Sequence, residues 1–204
     1  LDNELCPPKV RERIEAKRGN PHWFRVYGEG EIGIAEGAIF TNWRYGEFPA
    51  GARNEFGLDY GFYPDPDALV RCCLDEANRK IYLDECIYEN YQGTEELKAK
   101  MLDFCMTRDL IVAESATPRT NYDLQKVFKG LIKVSKTKTV GEWLREMQNY
   151  EIIITEKSFN IETELANYVW DDKNAGIPVQ GFDHSIDAAR YWFMHKTKKI
   201  RRNW

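Results

Sequence analysis

Three β-type runs in succession, followed by a regular alternation of helical and β-type segments, constrain this chain more than any other feature of its sequence. Glu55–Tyr60, Ala68–Leu74 and Arg79–Tyr88 carry the aliphatic and aromatic residues of strands, and Asp75-Glu76-Ala77-Asn78 supplies a turn between the last two. This predicts an antiparallel meander. Thr94 can then cap a helix reaching about Met106, with Leu97, Met101, Leu102 and Cys105 on one face. Asp109–Glu114 reads as a short apolar strand, Pro118 opens a helix to about Phe128, and Leu131–Val134 is a strand. Thr139–Met147 is a helix with Thr139 and Glu142 at capping-box spacing. Ile152–Ile154 is a strand, and helices follow at about Phe159–Trp170 and Asp183–Lys196. The order gives an α/β fold with a mixed sheet flanked by helices.

With 204 residues, 43% of them hydrophobic and 30% charged, the chain can bury a full core, and disordered and collagen-like classes are excluded. Its longest apolar runs fall far short of the ~18 residues of a membrane span. Five cysteines without a C-x-x-C pair indicate small core residues in a reducing compartment. Residues 4–19 alternate in charge after Pro7-Pro8 and read as a solvated connector helix, and 22–53 as a β-hairpin lead-in built on Trp23–Tyr27 and Ala38–Phe40. Between these lies Gly28-Glu29-Gly30-Glu31-Ile32-Gly33, a literal G-x-G-x-x-G. No helix follows it to hold a pyrophosphate, and two glutamates would repel one, so it reads as a glycine-rich turn. Ile34 stands where a phosphate-binding loop needs lysine, which leaves no ATP site.

Three carboxylates have no ordinary packing reason for their positions. Asp59 interrupts a strand, where Asp is disfavoured. Glu114 ends a strand at the carboxyl edge where open α/β sheets place their sites. Asp187 lies on the last helix, with Asp183 one turn and His184 three residues before it, so that all three crowd one face. Singly, an Asp beside glycine is an ordinary turn residue and one at a helix start an ordinary cap; Asp65 and Asp67 read as solvated turn residues on that basis. Carboxylates converging from two strands and a helix repel one another, and hard divalent cations offset that cost. Two Mg²⁺ or Mn²⁺ ions about 3.5–4 Å apart can activate water and stabilise a leaving oxygen in phosphodiester cleavage.

At these residues the sequence resembles a known family. Gly57-Leu58-Asp59-Tyr60-Gly61 with Pro66–Val70, then Val112–Arg119, then Asp183-His184-Ser185-Ile186-Asp187-Ala188-Ala189-Arg190-Tyr191 resemble the nuclease domain of tailed-bacteriophage terminase large subunits, from about His22 to His195. The last segment is the most specific. The resemblance implies an RNase H-like fold and a metal-dependent endodeoxyribonuclease that cuts concatemeric viral duplex DNA with little sequence preference. It places two Mg²⁺ or Mn²⁺ ions on Asp59, Glu114 and Asp187; several members carry Asp where Glu114 stands, and Glu114 reaches further. His184 matches a family histidine that either orients an aspartate or water or simply closes the helix N-terminus. Asp183 stays open as a cap, a group behind the ligands, or an alternate ligand. The resemblance also implies an ATPase domain missing from this chain, with 1–21 as the linker remnant and 22–204 as the nuclease domain, an expectation with which the absence of an initial methionine agrees. Its implied partners are double-stranded viral DNA, the portal protein and the small terminase subunit, in the host cell cytoplasm and with no membrane.

The net charge of −4 hides two basic segments. Residues 126–145 hold six basic side chains against Glu142, and 196–202 hold five and no acid; without them 18 basic residues face 32 acidic ones. A charge run is ordinarily a solvated face, but a nuclease must also neutralise phosphates without reading bases. Lys136 and Lys138, then Lys129 and Lys133, are the expected DNA contacts, the first two because they fall where the family has a DNA-facing loop. Two other readings accommodate the same carboxylates: another RNase H-like nuclease such as a junction resolvase, and a catalytically silent docking module.

Overall fold

The structure is a computed structural model that describes residues 37–62, 64–90, 93–134, 138–174 and 176–202, together with Arg11, Glu15 and Ala35, with side chains as far as Lys198. Among the described residues the strands are β1 (Trp43–Tyr45), β2 (Glu55–Asp59), β3 (Asp67–Asp75), β4 (Lys80–Glu89), β5 (Leu110–Ala113), β6 (Leu131–Lys133) and β7 (Glu151–Ile154). The helices are α1 (Thr94–Met101), α2 (Pro118–Gln125), α3 (Val140–Met147), α4 (Phe159–Asn167) and α5 (His184–Arg202). One seven-stranded sheet runs β1-β7-β4-β3-β2-β5-β6. The expected meander β2-β3-β4 is its antiparallel centre. Strands β5, β6 and β7, each reached through a helix, add in parallel, β5 and β6 beside β2 and β7 beside β4, and β1, which precedes the meander, pairs in parallel with β7.

Period-2 alternation sorts the strand residues between two cores. Phe56, Leu58, Leu69, Ile111 and Ala113 pack with Leu97 and Met101 of α1 and Leu124 of α2 on one face. Ala68, Val70, Cys72, Val112, Ile152 and Ile154 pack on the other with Trp143 and Leu144 of α3 and with α5. Strand β2 is buried along its whole length, and its alternate residues Glu55, Gly57 and Asp59 face α5. Glu55 accepts hydrogen bonds from Trp192 Nε1 and Lys196 Nζ, both at 2.8 Å. A Cβ on Gly57 would lie 1.8 Å from the Ala188 carbonyl oxygen, so this glycine admits the helix backbone.

The capping box forms as expected, with Thr139 and Glu142 bonding each other's backbone. Other boundaries differ. Helix α1 stops at Met101: Phe104 and Cys105 both donate to the Met101 carbonyl, which keeps Cys105 buried and turns Leu102 outward. Gly93 rather than Thr94 occupies the α1 cap, without a side-chain bond. Helix α4 ends at Asn167, because Val169 and Trp170 form isolated bridges to Ala38 and Pro178. Ala38 is therefore a bridge residue and not part of a hairpin strand, while β1 at Trp43–Tyr45 is an edge strand too short to show a period. Trp23–Tyr27 and the Gly28–Gly33 segment lie outside the described residues.

Gly57→Ala is expected to destabilise the fold by about 3 kcal/mol or more, since the new methyl meets backbone rather than a mobile side chain. Chemical denaturation would measure it; a loss below about 1 kcal/mol would show that α5 sits less tightly than this contact indicates.

Candidate active site

The carboxyl ends of two parallel strands and the start of one helix meet at a single acidic cluster. β2 and β5 pair with Leu58 opposite Ala113, and Glu114 N–H donates to the Leu58 carbonyl at 3.1 Å. Asp59 and Glu114 therefore leave neighbouring strands side by side. Helix α5, held on β2 at Gly57, brings His184 and Asp187 over the same edge. His184 Nδ1 lies 3.3 Å from Asp59 Oδ2.

The electrostatics follow from burial and crowding. Asp59 is 8% exposed. Burial pushes its carboxyl up to about 7 against the lowering hydrogen bond with His184, and the charges of Asp187 and then Glu114 push the same way as burial. Burial alone would lower the His184 ring, but the hydrogen bond with Asp59 and the charges of Glu164, Asp183 and Asp59 outweigh it and lift the ring to about 9. The Asp183 carboxyl is raised from its ordinary value by burial first and by the charge of Asp187 second.

Two partners were not evident from the sequence. Arg190 is 4% exposed and forks onto both carboxylate oxygens of Asp187, with Nε donating to Oδ1 at 3.0 Å and Nη2 donating to Oδ2. Tyr191 adds its hydroxyl to Oδ2 at 3.3 Å. An Arg three residues after an Asp on one helix is the signal that could have found the pair. Asp65 is not merely a turn residue, since its Oδ1 lies 3.8 Å from His184 Nε2. Asp67 is not solvated either: it is buried and accepts the Gly61 N–H at 3.0 Å.

Among the described residues, no group of three or more His, Cys, Asp and Glu side chains stands arranged around one ion; Asp187 faces Arg190, and Asp59 faces His184. The donor set nevertheless fits a hard divalent cation. It is all oxygen, clustered and mutually repulsive, and its negative charge is partly answered by a buried guanidinium and an imidazole.

The basic candidates are placed unequally. Lys133 is exposed and sits opposite Ala113 in the β5–β6 pair, next to the Glu114 edge. Lys129 donates to the Gln125 and Lys126 carbonyls at the end of α2. Lys138 pairs with Glu146 and lies over the Trp143 ring. Lys196, expected in a basic tail, turns inward onto Glu55. Lys136 lies outside the described residues. Cys72, Cys73, Cys86 and Cys105 are free thiols, and no helix among the described residues is long and apolar enough to cross a membrane.

No protein-family model matches the chain. It is 31% identical over 187 residues to the terminase large subunit of Bacillus phage SPP1, covering 84% of this chain and 40% of that one. It is 25% identical over 144 residues to the PBSX phage terminase large subunit of Bacillus subtilis (strain 168), covering 66% of this chain and 33% of the relative. The chain thus spans less than half the length of these relatives. Its fold matches the nuclease domain of the bacteriophage SPP1 large terminase, solved with bound Mn, with a TM-score of 0.67 and 24% identity over 78% of this chain and 99% of that domain. The chain is thus related in sequence to the phage terminase large subunits, and its RNase H-like fold is that of the SPP1 nuclease domain.

Proposed function

We propose that this chain is an endodeoxyribonuclease that cuts concatemeric viral duplex DNA during genome packaging, using two Mg²⁺ or Mn²⁺ ions. The observation that carries the reading is the meeting of Asp59, Glu114 and the first turn of α5 at one sheet edge, in a chain related to terminase large subunits. Asp59, Glu114 and Asp187 would hold the ions, which when bound supply an activated water and stabilise the leaving oxygen. His184 orients Asp59 from one side and faces Asp65 on the other. Arg190, forked onto both oxygens of Asp187, fixes its rotamer and must share that carboxylate with a cation. Burial of Asp59 keeps bulk water from screening the cluster.

Lys133, exposed beside this edge, would neutralise a backbone phosphate without reading a base. Lys136 and Lys138 extend the same proposal, Lys138 after release from Glu146, and Lys129 after release from its helix carbonyls. Residues 22–204 are proposed as the nuclease module and 1–21 as the connection to a packaging ATPase, with the portal and small subunit as partners of the whole assembly.

Incubation with supercoiled plasmid and Mn²⁺ tests the reading. The protein is expected to nick and linearise plasmid, and Asp59→Asn or Asp187→Asn to slow this about 100-fold or more. Mn²⁺ should raise the melting temperature of the wild type and not of Asp59→Asn, because the ion binds only the assembled site. A folded wild type that leaves plasmid intact at every Mn²⁺ concentration defeats the enzyme reading. Preference for four-way junctions over linear duplex would point to a resolvase instead.

Lys133→Ala is expected to weaken duplex binding and to reduce the slope of log affinity against log salt by about 1. An unchanged slope in an anisotropy titration would remove Lys133 from the contact.

A further inference from the structure

The first turn of α5 leaves backbone N–H groups with no partner inside the helix. Asp183 precedes it and is of the residue type that caps helices. Its carbonyl accepts the Asp187 N–H at 2.6 Å, and in an ordinary cap its carboxylate would accept the N–H of Ser185 or Ile186. The Asp183 carboxylate instead turns back to the Gly181 N–H at 3.3 Å. The capping task is done from another helix: Glu164 of α4 accepts the Ser185 N–H on Oε1 at 3.2 Å and the Ile186 N–H on Oε2 at 2.9 Å. Glu164 is fully buried, a place that carboxylates occupy only when their oxygens are satisfied.

The same substitution occurs one element earlier. Ser158 stands at the N-cap of α4 but makes no side-chain cap bond. Glu85 of β4 takes its place, accepting the Asn160 and Ile161 N–H groups at 2.9 and 3.0 Å. Two borrowed carboxylates therefore link β4 to α4 and α4 to α5. The start of α5 is thus tied to the sheet through α4, by part-buried hydrogen bonds at Glu85 and buried ones at Glu164. A second consequence concerns Asp183. Relieved of capping, its carboxylate is left under the charges of Asp187, His184 and Asp65.

We propose that Glu164 is a positioning residue of the nuclease site: by capping α5 in place of Asp183, it seats the turn that carries His184 and Asp187 and leaves the Asp183 carboxylate facing the cation site. This rests on the metal-nuclease reading above. Glutamine at 164 accepts one N–H and points its amide at the other, and Asp183 is then the adjacent carboxylate able to swing onto the vacated donors.

The test uses Glu164→Gln, Asp183→Asn and the double variant, with folding followed by circular dichroism. Mn²⁺ affinity is measured by calorimetry, Ile186 amide exchange by NMR, and kcat and KM on duplex. Glu164→Gln is expected to stay folded, to speed Ile186 exchange, to weaken Mn²⁺ binding about 10-fold and to lower kcat with KM unchanged. Asp183→Asn should also weaken Mn²⁺ binding, and the double variant should lose less than the product of the two single losses, because both changes withdraw the Asp183 carboxylate. A lower melting temperature with Mn²⁺ affinity and kcat within about twofold of wild type would reduce Glu164 to an ordinary cap and overturn the proposal, as would multiplied losses in the double variant. Should the wild type neither cut nor bind Mn²⁺, the nuclease reading fails, while unchanged Ile186 exchange in Glu164→Gln would separately refute the seating role.

Discussion

The close approach of helix α5 to strand β2 is the contact on which the remaining geometry depends. Backbone meets backbone at Gly57 and Ala188, and the register this sets runs along the whole helix. Glu55 lies under Trp192 and Lys196, and Asp59 under His184. Any larger residue at 57 would lift the helix and draw its first turn away from the strand ends. Ala188 and Ala189 are small for the same reason: both are fully buried, and longer side chains there would act as spacers. Dispersion and apolar burial favour the contact, and the glycine removes the steric obstacle to it.

What this docking assembles is unfavourable on its own. Carboxylates at the ends of β2 and β5 and at the start of α5 are brought together where burial opposes the ionisation of Asp59 and Asp183 and neighbouring charges add to it. The fold tolerates the cluster because buried cations and helix donors answer part of the charge. Arg190 forks onto Asp187 from one turn away, His184 lies between Asp59 and Asp65, and Glu164 is matched to two backbone N–H groups. Under the proposed function, an entering divalent cation would relieve this repulsion, at a place where packing alone would select apolar residues.

Much of this was legible in the chain itself. The meander announces itself through alternating apolar residues and a polar turn, and the box at Thr139 and Glu142 through spacing alone, because these signals are local. Asp59, Glu114 and Asp187 stood out because a carboxylate in a strand, at a strand end or in a helix's first turn conflicts with local preference or needs a partner. Other features were not readable. Lys129, Lys138 and Lys196 look like parts of exposed basic runs, yet each is turned onto a carbonyl or carboxylate of the protein. Long flexible side chains choose partners by proximity, and proximity is set by packing. The three-residue strand β1 carries too few residues to show a period and exists through its pairing with β7.

The sequence by itself determined the order of elements from β2 onward, the mixed α/β class, the three carboxylates and the motif from Asp183 to Tyr191, since residue type, spacing and turn chemistry suffice for each. Only the tertiary structure decided which groups those carboxylates face: Arg190 on Asp187, His184 between Asp59 and Asp65, and Glu164 in the capping place that Asp183 would take by sequence. A hydrogen bond between Glu164 and Ile186 joins residues on different helices. Its existence depends on how two helices pack on one sheet, which no local pattern encodes.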